Sequence, residues 1–253
     1  MCIRDRDFDY RVKGKTKILL NKKNVKIFYK NNESNSSKIH NISSKTKIPY
    51  VVSKIELSRD GFSKHNKKKL FTGRHALKFA HLQRYKSDSI LIGQKTFNDD
   101  NPKLDSRIEG IKKKIKIFSI NQQLKINTQV LKNPYLRNSH IFHNCKDRER
   151  VRKLSKLFKL IRFDFNEDEV CHRILKIIYK LNCKKILIEG GIHTLESFLK
   201  AKLINELYVV KNKHFFKKHG LLNARRFINS LKNKPNEIIS LEENTILKSV
   251  SYT

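Results

Sequence analysis

Three short segments of the chain gather residue types that can do chemistry. The first is Asp60-Gly61, read either as a plain turn or as a strand end facing a ligand, since Asp and Gly both favour turn conformations. The second is Gly93-Gln94-Lys95-Thr96-Phe97-Asn98-Asp99-Asp100-Asn101-Pro102. Its glycine lets backbone approach a ligand, Thr96 offers a hydroxyl, and two adjacent acids ahead of Asn-Pro predict a rigid polar loop. The third is Glu189-Gly190-Gly191. Paired glycines between a strand and a helix expose N–H groups at the helix start, where a phosphate or pyrophosphate is stabilised by those donors and the helix dipole. The bland alternatives are a capped turn at the second segment and a tight turn with a surface acid at the third.

Other signals carry less. Gly14-Lys15-Thr16 imitates the end of a P-loop, but the residue five places earlier is Asp9 rather than Gly. His140, His143 and Cys145 crowd together, yet strand alternation sends the two histidines to opposite faces, so no metal site is expected. The fingerprint G-x-G-x-x-G and the zinc-deaminase pattern H-x-E with P-C-x-x-C are absent from the sequence. The run Arg148-Glu149-Arg150-Val151-Arg152-Lys153 reads as a solvated helix face.

The elements that must position the three segments alternate from Pro49 onward, which predicts an α/β domain. Strands are expected at Val51–Leu57, Ser89–Ile92, Ile115–Ile120, His140–Phe142, Ile186–Ile188 and Glu206–Val210. Helices are expected at Arg74–Tyr85, Asp147–Phe158, Asp168–Leu181 and Thr194–Ala201. Upstream, Thr16–Lys23 reads as a helix and Val25–Tyr29 as a strand, and residues 30–48, dominated by Asn, Ser and Lys, read as a linker.

Composition bounds the function class. With 57 Lys and Arg against 23 Asp and Glu, the net charge is +34, which suits anionic ligands or, non-specifically, nucleic acid. The excess is spread along the whole chain, so drift in base composition plus a phosphorylated small substrate is preferred to a dedicated nucleic-acid surface. No window approaches the roughly 18 apolar residues of a membrane span, and no signal-peptide core opens the sequence, so a cytoplasmic protein is expected. The four dispersed cysteines then read as reduced thiols.

Taken in order, Pro49 to Lys54, Ser58-Arg59-Asp60-Gly61, Arg84 to Thr96, Asp100-Asn101-Pro102-Lys103-Leu104 to Arg107, and Glu189-Gly190-Gly191 resemble the reductase domain of the bifunctional riboflavin-biosynthesis deaminase/reductase. The resemblance runs from Pro49 to about Val210. Asp7 to Lys15, with Asn24-Val25-Lys26-Ile27, is similar to the end of the same family's deaminase domain. The implied organisation is a truncated C-terminal piece of a cytidine-deaminase-like domain over residues 1–29, the linker, and a reductase domain over residues 49–253. No deaminase activity is expected.

The resemblance implies a dihydrofolate-reductase-like α/β fold, a mainly parallel central sheet flanked by helices. It implies NADPH-dependent reduction of 5-amino-6-(5-phosphoribosylamino)uracil to the ribitylamino product in riboflavin biosynthesis, on a homodimer. Matched position by position, Leu57, Leu70, Thr96, Asp100 and the turn Gly191, Ile192, His193, Thr194, Leu195, Glu196 and Ser197 would bind the cofactor. Lys68, Arg84, Leu104, Arg107 and Glu189 would bind substrate, the two arginines as phosphate partners because guanidinium pairs bidentately with phosphate. No residue stands out as the proton donor. A basic nucleic-acid-binding protein on an enzyme-like fold, or a related reductase acting on a pterin, are the competing readings.

Overall fold

The computed structural model describes residues 35–66, 73–108, 113–224, 237–240 and 244–250. The deaminase remnant expected over residues 1–29 lies outside them, as do Lys68 and Leu70. The first described element is helix α1 (Asn35–Thr46), followed by β1 (Tyr50–Leu57), β2 (Phe62–His65), α2 (Arg74–Tyr85), β3 (Ser89–Gly93) and α3 (Gln94–Asp99). Next come β4 (Lys116–Ile120), α4 (Thr128–Lys132), β5 (His140–His143), α5 (Arg148–Ser155) and β6 (Lys159–Arg162). The chain continues through α6 (Val170–Lys180), β7 (Lys185–Glu189), α7 (Ile192–Lys200), β8 (Glu206–Asn212), β9 (Gly220–Asn223), β10 (Glu237–Ser240) and β11 (Asn244–Val250).

Nine of these strands form one sheet in the order β10-β11-β8-β1-β7-β3-β4-β5-β6. From β8 through β6 every pairing is parallel, and β11 and β10 join antiparallel at one edge. This is the mainly parallel α/β sheet expected from the sequence. The central strands carry unbroken apolar runs because both of their faces are covered. Ile186 and Ile188 of β7 and Leu91 of β3 pack with Ile174 and Ile178 of α6 and Leu195 and Phe198 of α7. Leu187, Ile90 and Ile92 point to the other face, with Ala76 of α2 and Phe97 of α3.

Two expectations are corrected. Residues 35–46, read as part of a linker, form α1, and its two apolar residues, Ile39 and Ile42, pack against the second core layer. Tertiary packing of one narrow stripe overrides a polar composition that has no helical signal of its own. The segment after Gly93, read as a polar loop, turns directly into α3, with Phe97 fully buried beneath it. Six residues are too few to display a helical period.

Candidate active site

Strand β7 returns from the far side of the sheet to lie between β1 and β3. The carboxyl ends of strands at such a reversal form a crevice, the usual ligand site of an open α/β sheet. A cavity of about 470 Å³ lies there, lined by the ends of β1, β3 and β7, the starts of α3 and α7, the loop carrying Pro102 and Leu104, and Ser63, Lys64 and Leu222 of the paired strands β2 and β9.

The rear of the crevice is built by two strand-to-helix turns that interlock. A Cβ placed on Gly93 would stand 2.5 Å from the Thr194 hydroxyl, and one on Gly190 would stand 2.8 Å from both Thr96 Cγ2 and Oγ1. Gly190 also has φ +109, a conformation that side chains rarely adopt. Each strand-end glycine is thus abutted by the threonine of the opposite helix. The first turns of α3 and α7 face one cavity, presenting main-chain N–H groups and two hydroxyls.

Charged side chains line the floor in pairs. Arg84 Nε and Nη2 donate to the Glu189 carboxylate at 2.7 and 3.0 Å, a bidentate pair. Burial alone would raise the Glu189 carboxyl, but Arg84, then Lys54, outweigh it and hold it below the ordinary glutamate range. Lys54, opposite Glu189 in the β1–β7 register, lies 3.7 Å from Glu56, both side chains 11% exposed. At the exposed rim Lys64 of β2 bridges Asp99 at 3.2 Å and Asp100 at 3.6 Å. The loop that follows Asp100 is bent through left-handed Asn101, Leu104 and Arg107, and Asn133 holds it by donating to the Asn101 side chain at 2.7 Å and to the Pro102 carbonyl at 3.3 Å.

Of the residues expected to bind cofactor, Thr96, Asp100, Gly191, Ile192, His193, Thr194 and Leu195 line the cavity. Leu57 lies 2% exposed in the core, and Glu196 and Ser197 sit further along α7, outside the lining, Ser197 donating to the His193 carbonyl at 3.0 Å. Among expected substrate residues Arg84, Leu104 and Glu189 line it. Arg107 does not; it is half exposed and pairs with Asp105 at 2.8 Å. Arg84, expected as a phosphate partner, pairs with Glu189, and its remaining Nη1 donates to the Asp105 carbonyl at 3.2 Å. Lys54, Glu56, Lys64 and Lys95 are lining residues the sequence reading did not single out. For Lys54 and Glu56 the signal was available as their i, i+2 spacing on one strand face.

The other sequence features resolve locally. Asp60 organises a turn: its carboxylate accepts from Ser58 Oγ at 2.7 Å and from the main-chain N–H groups of Phe216 and Lys217. Burial pushes that carboxyl up, and these hydrogen bonds together bring it below the usual value. His140 stacks on Phe118 with ring centroids 4.7 Å apart. Among the described residues no group of three His, Cys, Asp or Glu could hold a metal ion, and no helix is long and apolar enough to cross a membrane.

The RibD C-terminal domain family model matches residues 49–213. A curated relative from Aquifex aeolicus, 2,5-diamino-6-ribosylamino-4(3H)-pyrimidinone 5′-phosphate reductase, is 24% identical over 169 residues, 64% of this chain and 75% of the relative. Among solved structures, Acinetobacter baumannii RibD superposes with a TM-score of 0.79 at 18% identity, over 98% of this chain and 72% of that one. A Thermotoga maritima diaminohydroxyphosphoribosylaminopyrimidine deaminase/5-amino-6-(5-phosphoribosylamino)uracil reductase gives a TM-score of 0.75 at 17% identity, over 98% and 70%. The structural likeness is one of fold, whereas the sequence match takes in β1, β3 and β7, whose ends build the crevice, and ends past β8; on that match the chain belongs to the RibD C-terminal domain family.

Proposed function

We propose that this chain reduces 5-amino-6-(5-phosphoribosylamino)uracil to its ribitylamino product, with NADPH as the reductant. Membership of the family supports a reductase of riboflavin synthesis, as does the activity for which the Aquifex relative is named. The observation that carries the reading is the interlocked pair of turns: Gly93 against Thr194 and Gly190 against Thr96, with two helix starts facing one cavity. That arrangement suits a dinucleotide, whose pyrophosphate is stabilised by main-chain N–H groups at a helix start.

When bound, NADPH supplies the hydride, which goes to C1′ of the opened sugar. The chain's own part is to bind and orient. Gly191, Thr194 and Thr96 would hold the cofactor, with Asp100 at the rim. Glu189, fixed by Arg84, offers an acceptor of constant orientation to substrate hydroxyl or amino groups, and Leu104 closes one side against water.

The test is loss of the nicotinamide absorbance of NADPH on mixing purified protein with the phosphoribosylaminouracil. Turnover is expected, with kcat/KM falling about tenfold or more in Asp100→Ala and further in Glu189→Gln. A folded protein that neither binds NADPH nor turns over sinks the proposal. Turnover of a dihydropterin alone would replace it with the related reductase.

A further inference from the structure

The wall of the cavity that carries Leu104 is a strained loop, and it is fastened on either side of that residue. Asn101, Leu104 and Arg107 all have left-handed backbone, with φ of +42, +53 and +31. Leu104, 4% exposed, both lines the cavity and packs in the second core layer. Residues of this kind keep such a conformation only where the surroundings over-determine it. Asn133 fastens the start of the loop. Past Leu104 the Asp105 carbonyl ties the loop to α2, where two donors converge on that one oxygen: Arg84 Nη1 at 3.2 Å and His81 Nδ1 at 3.1 Å. Three residues apart on a helix, the two side chains share a face.

The two donors differ in what else they hold. Arg84 also grips Glu189, so it belongs to the floor as much as to the loop. The bond to Asp105 is the one hydrogen bond that the His81 ring makes among the described residues, and His81 does not line the cavity. A carbonyl only accepts, so Nδ1 carries the proton. Burial, then Arg84 and Arg107, push the ring below the ordinary histidine value in spite of that hydrogen bond. At neutral pH it therefore holds the oxygen as a neutral donor and adds no third cation beside the two arginines.

Resting on the reductase reading for the identity of the substrate, we propose that His81 is a positioning residue: its Nδ1–H fastens the Asp105 carbonyl and so holds Leu104 in the wall on the substrate side. It acts through the loop and touches neither substrate nor cofactor. Gly191 and Thr194, which face the cofactor, stand at the start of α7 and not on this loop. Loss of the bond therefore weakens substrate binding and spares NADPH.

Three variants of the full chain separate the hydrogen bond from the bulk of the ring. In His81→Asn the side-chain amide N–H stands where Nδ1 stood, in His81→Gln it stands one bond further out, and His81→Leu has no donor. Amide hydrogen exchange over residues 101–107 is expected to quicken about fivefold in the Gln and Leu variants, the worth of one hydrogen bond. It should return to the wild-type rate in His81→Asn, with exchange in β7 unchanged throughout. In NADPH oxidation the Gln and Leu variants should show a matching rise in KM for the phosphoribosylaminouracil, with kcat and the KM for NADPH little moved, and His81→Asn should restore it. A histidine that only supports the fold would lower the melting temperature without separating Asn from Gln. If His81→Leu does not fold, His81→Gln, which keeps a polar side chain, gives the same readouts. Exchange that does not quicken, quickened exchange without a rise in substrate KM, an equal rise in the KM for NADPH, or an asparagine variant that behaves as glutamine would each overturn the proposal. If the chain does not oxidise NADPH, the reductase reading fails separately, and hydrogen exchange still decides whether His81 fastens the loop.

Discussion

Arg84 and Glu189 reach each other from elements 105 residues apart, and the pair illustrates how little a buried ion pair adds and how much its halves depend on each other. Taking two charges out of water offsets most of their attraction, so the pair as a whole is near neutral for stability. Removing one member is different, because the survivor keeps its desolvation and loses its partner. Arg84→Met is therefore expected to destabilise by about 3 kcal/mol, with Glu189 left among the buried polar groups. Arg84→Met/Glu189→Met should recover much of that loss, a non-additivity that urea denaturation of the four proteins would measure. If the double variant is as unstable as the sum of the singles, the two side chains are not coupled and the floor has been misread. Substrate affinity should fall in all three variants, since an acceptor held in one orientation is lost in each.

At the level of elements, the site depends on how closely β3 and β7 bring their following helices together. Gly190→Ala forces a side chain into φ +109 and puts its Cβ 2.8 Å from Thr96. The expected loss is about 2 kcal/mol, with a larger fall in affinity for NADPH than in overall fold, visible as a raised dissociation constant in a fluorescence titration. Adding Thr96→Ala relieves the contact but not the dihedral, so stability should return only in part. These turns were legible in the sequence because their signals are local: Ile90-Leu91-Ile92 runs into Gly93, and Ile186-Leu187-Ile188 into Glu189-Gly190-Gly191. What was not legible is non-local. Strand β2 exists because Phe62 pairs with Asn223, far along the chain, and nothing in Phe62–His65 alone announces a strand. Alternation along β1 gave two faces without saying which of them meets the cavity: Lys54 and Glu56 line the floor, while Leu57, assigned to the cofactor by resemblance alone, lies in the core on the other face. The pairing of Arg84 with Glu189, 105 residues further on, is non-local in the same way.

For the molecule as a whole, charge sets the response to pH and salt. A net +34 makes the compact state repel itself, and added salt screens that repulsion. Thermal stability is therefore expected to rise with sodium chloride at neutral pH, whereas a protein held by its surface ion pairs would lose stability. Acid acts through three buried histidines. Burial, chiefly, pushes His81, His140 and His143 below the ordinary histidine value, with nearby Arg84 and Arg107 adding to it at His81, Lys159 at His140 and Arg162 at His143. Such a histidine is neutral in both states at pH 8 and contributes nothing there. Below about pH 6.5 the unfolded chain takes up protons that the folded chain refuses, so stability falls as pH drops and goes on falling until the folded values are passed. The carboxyls of Asp60 and Glu189 are shifted the opposite way in consequence: lowered in the fold, they stabilise above their unfolded values near 4, and that contribution is lost only as pH falls through the folded values. Two separate losses are thus expected on acidification, the histidine one first. Melting temperatures read between pH 8 and pH 5 should decline from about pH 6.5, and His140→Phe, which keeps a ring against Phe118, should flatten part of that decline. A profile level down to pH 5, or one unchanged by the substitution, would mean that the histidines are not the groups that couple folding to protons.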